Sequence, residues 1–388
     1  MSRPTKIALI VLGIFVVLAL IIVSQGPTVV APPRGPMVEE PRKPMLVSDI
    51  EVTPPFDLEA ASEPETRARL GSWPRPEFRG ISRWWNTPGD KPLTAEGLRG
   101  KVVLVKFWTY SCINCIRTYP AVKRWHDTYA KDGLVVVGVH TPEFAFERVP
   151  ENVEREIQKN GFKYPIALDP DYDTWNAFDN HYWPAMYLFD ANGILRYTQF
   201  GEHDYAKTEA AIRRLLTEAG QLIGATTEPV IPPVEFKKIR TPETYFGHFR
   251  ASGFANALEL AQDSLTTYKL KDLGPNQWTI GGRWNIQAER AHAKQGAIHR
   301  MSIQAPRYNI VLDATAGTTA TLEVLVDGAP LNSQQKTEDT VIDAQGRTTI
   351  KVQDSRLYRI ADFPDSNRHV IELRVLEGEV RFYAATFG

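Results

Sequence analysis

Residues 101–115 read Lys-Val-Val-Leu-Val-Lys-Phe-Trp-Thr-Tyr-Ser-Cys-Ile-Asn-Cys. The first eight are dominated by β-branched and aromatic side chains and predict a buried strand. A helix is expected from Cys112 to about Lys131, so the strand runs almost directly into a helix start that carries a cysteine. A helix N-terminus leaves backbone N–H groups unpaired and bears a partial positive charge, and both stabilise a thiolate, the reactive form of cysteine. Cys112 at the entrance can attack or be attacked. Cys115, one turn later, shares its face and can close a ring with it. Thiol–disulfide exchange needs this pair: an accessible nucleophile and a resolving thiol within reach.

Working outward, strands are expected at 134–139, 164–168, 185–189 and 194–200, with helices at about 152–160 and 205–219. Asp190-Ala-Asn-Gly193 between the last two strands is a glycine-containing hairpin turn. The order βαβαβ…ββα implies a mixed sheet with helices packed on its faces, over residues 73–223. A second linker, 224–241, carries Pro229, Pro232 and Pro233. Beyond it, over 242–388, strand follows strand, from 278–284 to 380–387. Short strands at this spacing argue an all-β sandwich or jelly roll.

Upstream, residues 7–23 form an uncharged apolar run preceded by Arg3 and Lys6. At about 1.5 Å per residue such a run spans about 26 Å, close to the thickness of a hydrocarbon core. No A-x-A-like site follows, so a retained signal anchor (1–23) is preferred to a cleaved signal peptide. The nearby basic residues orient the bulk of the chain to the extracytoplasmic, periplasmic side of an inner or cytoplasmic membrane. Nine prolines between positions 24 and 66 make the segment 24–72 read as an extended stalk.

Composition narrows the function. The 388 residues hold 45 Lys plus Arg against 46 Asp plus Glu, a net charge of −1. That balance supplies no basic footprint for nucleic acid. Only 2 cysteines are present, which excludes a multi-disulfide scaffold and a four-thiolate zinc or iron–sulfur site. Three alternatives to exchange rank below it. Half a zinc site lacks paired histidines to complete it, so no metal is expected. An inert bridge closing so short a loop would add little stability. A peroxiredoxin-like peroxidase would use Thr109, three residues before Cys112, but its usual upstream proline is replaced by Val105.

These residues resemble the thioredoxin superfamily, specifically its extracytoplasmic TlpA-like branch. Pro120 stands where thioredoxins kink the active-site helix, and Trp183-Pro184 matches the family's cis-proline. Phe107-Trp-Thr-Tyr-Ser-Cys-Ile-Asn-Cys115, His140-Thr-Pro-Glu-Phe144, Tyr182-Trp-Pro184 and Ala385-Thr-Phe-Gly388 are similar to the soluble C-terminal part of DipZ proteins, a thioredoxin-like domain followed by a carbohydrate-binding-module-like β-sandwich. The resemblance implies a thiol:disulfide oxidoreductase, most naturally a reductase with cytochrome c biogenesis as one precedent. It would need no cofactor beyond the redox-active Cys112–Cys115 disulfide. Trp183, Pro184 and Trp108 would form the substrate-docking lip for protein thiol or disulfide substrates. A single span cannot conduct electrons, so a separate membrane electron donor of the CcdA/DsbD type is implied.

Thioredoxins hold a buried Asp where this sequence has Lys106. Glu143 is expected to pair with Lys106 and restore a carboxylate near Cys115 as a proton relay; the alternative is a surface Glu in a loop after Pro142. The competing functional class is an anchored glycan- or partner-binding protein in which the thioredoxin fold is a scaffold. Tyr268, Trp278, Trp284 and Tyr308 could stack on sugar if exposed, but the alternation in Gln277-Trp-Thr-Ile-Gly-Gly-Arg-Trp284 favours core positions.

Overall fold

The computed structural model describes residues 77–224, 236–315, 317–365 and 367–388. The expected anchor at 7–23, the stalk at 24–72 and most of the linker at 224–241 lie outside the described residues. Among the described residues, no helix is long and apolar enough to cross a membrane.

The N-terminal unit is built on six strands: β1 (Arg83–Trp85), β2 (Val102–Trp108), β3 (Leu134–His140), β4 (Ile166–Leu168), β5 (Ala185–Phe189) and β6 (Leu195–Phe200). They lie in the order β1-β4-β3-β2-β5-β6. The β2–β3 and β3–β4 ladders are parallel and the others antiparallel. Helices α1 (Ile113–Tyr129), α2 (Pro150–Asn160), α3 (Asp173–Ala177) and α4 (Tyr205–Glu218) cover the sheet. Every residue of β2 is buried, as befits a central strand sandwiched on both faces. Its alternation sorts Val102, Leu104 and Trp108 into the cluster beneath α1, α2 and α4, and Val103, Val105 and Phe107 into a second cluster with Trp175 of α3. The Asp190 turn closes as expected: Gly193 N–H donates to the Asp190 carbonyl (2.8 Å), while Asp190 Oδ1 accepts from the Asn192 and Ile194 amides.

Among the described residues, the C-terminal unit is a large antiparallel β structure of 13 strands, from Thr244–Tyr245 to Val380–Phe387. Ten of them follow one hydrogen-bonded path, and Thr244–Tyr245, Leu265–Tyr268 and Ala329–Pro330 pair off it. Trp278–Ile286 serves two runs, its first half pairing with Ile298–Gln304 and its second with Ala291–Ala293. The switch falls at Gly282, where φ is +85° and a Cβ would meet the Ala297 Cα at 3.0 Å, so only glycine is accommodated there. Tyr268, Trp278, Trp284 and Tyr308 are all buried in the core of this unit. They offer no face to a sugar.

The two units share a core. Tyr245, Val311, Leu357, Tyr383 and Ala384 belong to the apolar cluster that also holds Cys115, Tyr119 and Phe146. Phe144 and Phe146 meet the Tyr383 ring at centroid distances of 5.1 and 4.8 Å.

One core residue is expected to make the C-terminal unit acid-sensitive. His299 is buried against Trp278, Phe382 and Phe246, and neither ring nitrogen has a hydrogen-bond partner. Burial pulls its pKa down to about 3. A histidine depressed in the folded state contributes stability above its unfolded pKa of about 6.5 and loses it as pH falls. Between pH 6 and 4, His299→Phe is therefore expected to lose less unfolding free energy than the parent, by about 1.4 kcal/mol per pH unit. Urea midpoints across that range provide the check, and parallel profiles for the two proteins would contradict it.

Candidate active site

The end of β2 delivers Thr109, Tyr110 and Ser111 to the start of α1, where Cys112 is the N-cap residue with extended backbone (φ −78°, ψ 115°). Its Sγ accepts the Cys115 backbone N–H at 3.3 Å, so the sulfur occupies the seat that an N-cap oxygen normally takes. Cys112 is half-buried and Cys115 fully buried, and both are free thiols. One thiol is reachable and the other waits behind it.

The expected depression of the Cys112 thiol is not found. The Cys115 side chain bonded to it, and then burial, push it above the ordinary thiol range, while the Cys115 backbone N–H pulls in the opposite direction. Glu243, at the start of the C-terminal unit, adds a further upward push. Two adjacent thiols compete for one favourable position, and the helix terminus alone does not decide the outcome.

A residue the sequence reading missed holds the approach to Cys112. Glu147 is completely buried. Its Oε1 accepts from the Ser111 amide (3.2 Å) and hydroxyl (2.6 Å), and its Oε2 from the Glu143 and Phe144 amides (2.7 and 3.0 Å). Burial raises its carboxyl to about 6 against the opposing pull of the Ser111 and Thr109 hydrogen bonds. The residue stitches the loop after β3 to the peptide preceding the cysteine. Glu147 caps the Phe144 amide, but with phenylalanine at the N-cap no capping-box pattern announces it in the sequence.

Two expected roles are corrected. Glu143 does not pair with Lys106: its Oε1 accepts from Tyr245 Oη (2.8 Å) and Arg250 Nη1 (2.9 Å), both in the C-terminal unit. The Arg250 guanidinium, held over the Tyr245 ring at 3.6 Å, gives the carboxylate a charge-assisted hydrogen bond. Trp108 cannot dock substrate, because its side chain is wholly buried and packed edge-on to Tyr119, His140 and Phe162. Lys106 is fully buried, and its Nζ has no hydrogen-bond partner.

The Trp183–Pro184 peptide is cis. The β2–β5 register places Phe107 opposite Ala185, which brings Pro184 to the end of β2 that leads to Cys112. The Pro184 carbonyl accepts the Gly201 amide (2.8 Å), and Trp183 Nε1 donates to the Thr141 carbonyl (3.1 Å). Cys112 and Trp183 are both partly buried against the same cluster. On the other flank, Arg117 of α1 pairs with Glu202 (2.6 Å) and reaches the backbone oxygens of Phe387 (3.1 Å) and Gly388. The C-terminal unit thus abuts the first turns of the cysteine helix.

Residues 81–198 match the AhpC/TSA family, and residues 241–388 match the Thioredoxin like C-terminal domain. Thiol-disulfide oxidoreductase YkuV of Bacillus subtilis (strain 168) is 36% identical over 146 residues, 37% of this chain and 95% of YkuV. The chain belongs to the thioredoxin-like thiol-disulfide oxidoreductases. Within that family, Protein DipZ of Mycobacterium tuberculosis (strain CDC 1551 / Oshkosh) is 41% identical over 261 residues, 66% of this chain. The matched part is only 36% of DipZ, so the chain spans about a third of that relative's length. A solution structure of a thioredoxin-like protein in the oxidized form is 35% identical, covering 38% of this chain and 96% of that one, with a TM-score of 0.34.

Proposed function

We propose that this oxidoreductase exchanges disulfides through Cys112 and Cys115 on the extracytoplasmic side of a membrane, anchored by the apolar run at 7–23 and acting as a reductase. The observation that carries the reading is the half-buried Cys112 at the cap of α1, with buried Cys115 one turn behind and the cis Trp183–Pro184 peptide at the neighbouring strand end. The Cys112 thiolate attacks one sulfur of a substrate disulfide, and the substrate's S–S bond breaks. Its other sulfur leaves and takes a proton. Cys115 then attacks the Cys112 sulfur, releases the second substrate thiol and closes the Cys112–Cys115 bond. Two electrons pass to the substrate, and a separate membrane donor of the CcdA/DsbD type would return them.

Trp183 and Pro184 form the docking lip in this reading, with substrate backbone adding as a strand. Residues 73–223 act as the redox domain, and 242–388 as a sandwich that braces it. The peroxidase alternative draws no support from Thr109, whose hydroxyl is engaged by His140 at 3.4 Å and by Glu147. Expressing the full chain with Cys115→Ser tests the proposal. Cysteine proteins held on Cys112 in reducible adducts are the expected result. Adducts absent, or equally abundant when Cys112 is also replaced, would defeat it.

A further inference from the structure

Lys106 is a fully buried cation in an otherwise apolar strand. Alternation along β2 points it, with Leu104 and Trp108, into the layer beneath α1. Across the sheet its neighbours are Gly138 of β3 and Met186 of β5, and neither carries charge. Its Nζ lies 4.6 Å from the Tyr119 ring centroid and 5.9 Å from that of Trp108.

Among the described residues, no carboxylate is hydrogen-bonded to it. Glu143 is taken by Arg250 and Tyr245 and Glu147 by four donors, while Glu202 meets Arg117 through Oε1 and leaves its buried Oε2 without a partner. Glu156 engages Lys159 and Asn160. The charges that act on Lys106 are those of Cys115 and Cys112, and its Nζ faces the ring of Tyr119, one helical turn after Cys115 on α1. Cys115 is in turn faced by Tyr119, by Tyr164 and by Tyr205 of α4. An isolated ammonium in such a place is costly, and so is an isolated thiolate at Cys115. Each removes the other's cost.

We infer that Lys106 and Cys115 share one proton, as amine and thiol or as ammonium and thiolate, so that the resolving thiolate forms without adding net charge to the core. The inference rests on the exchange reading above. In the mixed disulfide, the Lys106 amine accepts the Cys115 proton and the thiolate attacks the Cys112 sulfur. The bond from Cys112 to the substrate breaks, and the substrate sulfur leaves and is protonated from water. The ammonium, now without an anion, keeps its proton below the pH at which it titrates in the oxidised protein and releases it to solvent above. Burial pulls Lys106 down to about 8, with Cys115 and then Cys112 pulling it back up, so both protonation states are accessible near neutrality. Lys106 is a positioning and proton-holding residue for Cys115. It has no part in the attack by Cys112.

Two measurements on the full chain test this. First, with glutathione disulfide as substrate, formation of the mixed disulfide on Cys112 and its resolution by Cys115 are followed separately in the parent and in Lys106→Met. Resolution at pH 7 is expected to slow at least tenfold more than formation, and to recover about tenfold per pH unit as pH rises, because the thiol must then ionise unaided. A folded variant with the parent's resolution rate and pH profile overturns the proposal. Second, the parent's equilibrium with glutathione is measured from pH 6 to 9. A shared proton requires a break in slope near the point where Lys106 of the oxidised protein titrates. The glutathione couple itself carries two protons, so below the break the equilibrium constant moves tenfold per pH unit (about 30 mV) toward the reduced protein, and above it the constant is level. A constant that is level across the whole range, the mark of an unbroken two-proton couple, overturns the proposal even if the variant fails to fold. A parent that forms no mixed disulfide at all would instead remove the exchange reading.

Discussion

Cys112→Ser is expected to abolish exchange, lowering insulin-disulfide reduction by the full chain at least a thousandfold, about 4 kcal/mol of barrier. The loss is chemical, because serine is among the preferred N-cap residues and can accept the Cys115 amide that the sulfur now accepts. The helix start should therefore survive. Cys115→Ser is expected to behave differently, completing the first attack and stalling at the mixed disulfide. It also removes the largest influence pushing the Cys112 thiol up, so Cys112 should alkylate faster at pH 7 in this variant than in the parent. In the parent, a raised thiol means that the thiolate fraction, and with it the alkylation rate, climbs about tenfold per pH unit through neutrality. Iodoacetamide kinetics from pH 6 to 9 read both effects. A Cys112→Ser protein keeping a tenth of the activity, or a flat profile in the parent, would contradict the assignment.

What the sequence made legible was whatever is decided within a few residues. The strand before the cysteines, the helix starting at Cys112 and the Asp190-to-Gly193 turn all follow from local pattern, and their observed limits differ from expectation by a residue or two. Short strands such as Thr244–Tyr245 and Ala291–Ala293 escaped because two or three residues carry no alternation to read. Glu143 was misassigned for a different reason. Its partners lie 102 and 107 positions away, across a contact between units that no periodicity announces. Trp108 illustrates the reverse error: adjacency to a motif was taken as exposure, whereas its place in β2 points it into the layer under α1. Glu147 was missed because a buried carboxylate satisfied by backbone amides looks, in sequence, like any loop glutamate.

The contact between the units is where the second large effect should appear. Tyr383 is wholly buried and stands in the cluster that also contains Cys115 and Tyr119. Its ring is edge-on to Phe146 and tilted against Phe144, and its hydroxyl accepts from Arg290 Nη1 at 3.1 Å and donates to Asp313 Oδ2 at 3.4 Å. Tyr383→Ala deletes a ring from a close-packed site and is expected to cost about 3–5 kcal/mol. Tyr383→Phe keeps the ring and should cost less, about 1.5–3 kcal/mol, for the hydrogen bonding to the charged Arg290 and Asp313. Because Phe144 and Phe146 flank Glu147, whose carboxylate holds Ser111 beside Cys112, the damage should spread to the active site. In the alanine variant, protection of Cys115 from alkylation should weaken in step with the loss of global stability. Guanidinium unfolding followed both by tryptophan fluorescence and by Cys115 labelling makes the comparison. Coincident transitions in the parent and an earlier labelling transition in Tyr383→Ala would mean that the β unit supports the chemistry mechanically, through packing. Unchanged labelling in a variant that has lost several kcal/mol would mean that the redox unit stands without its neighbour.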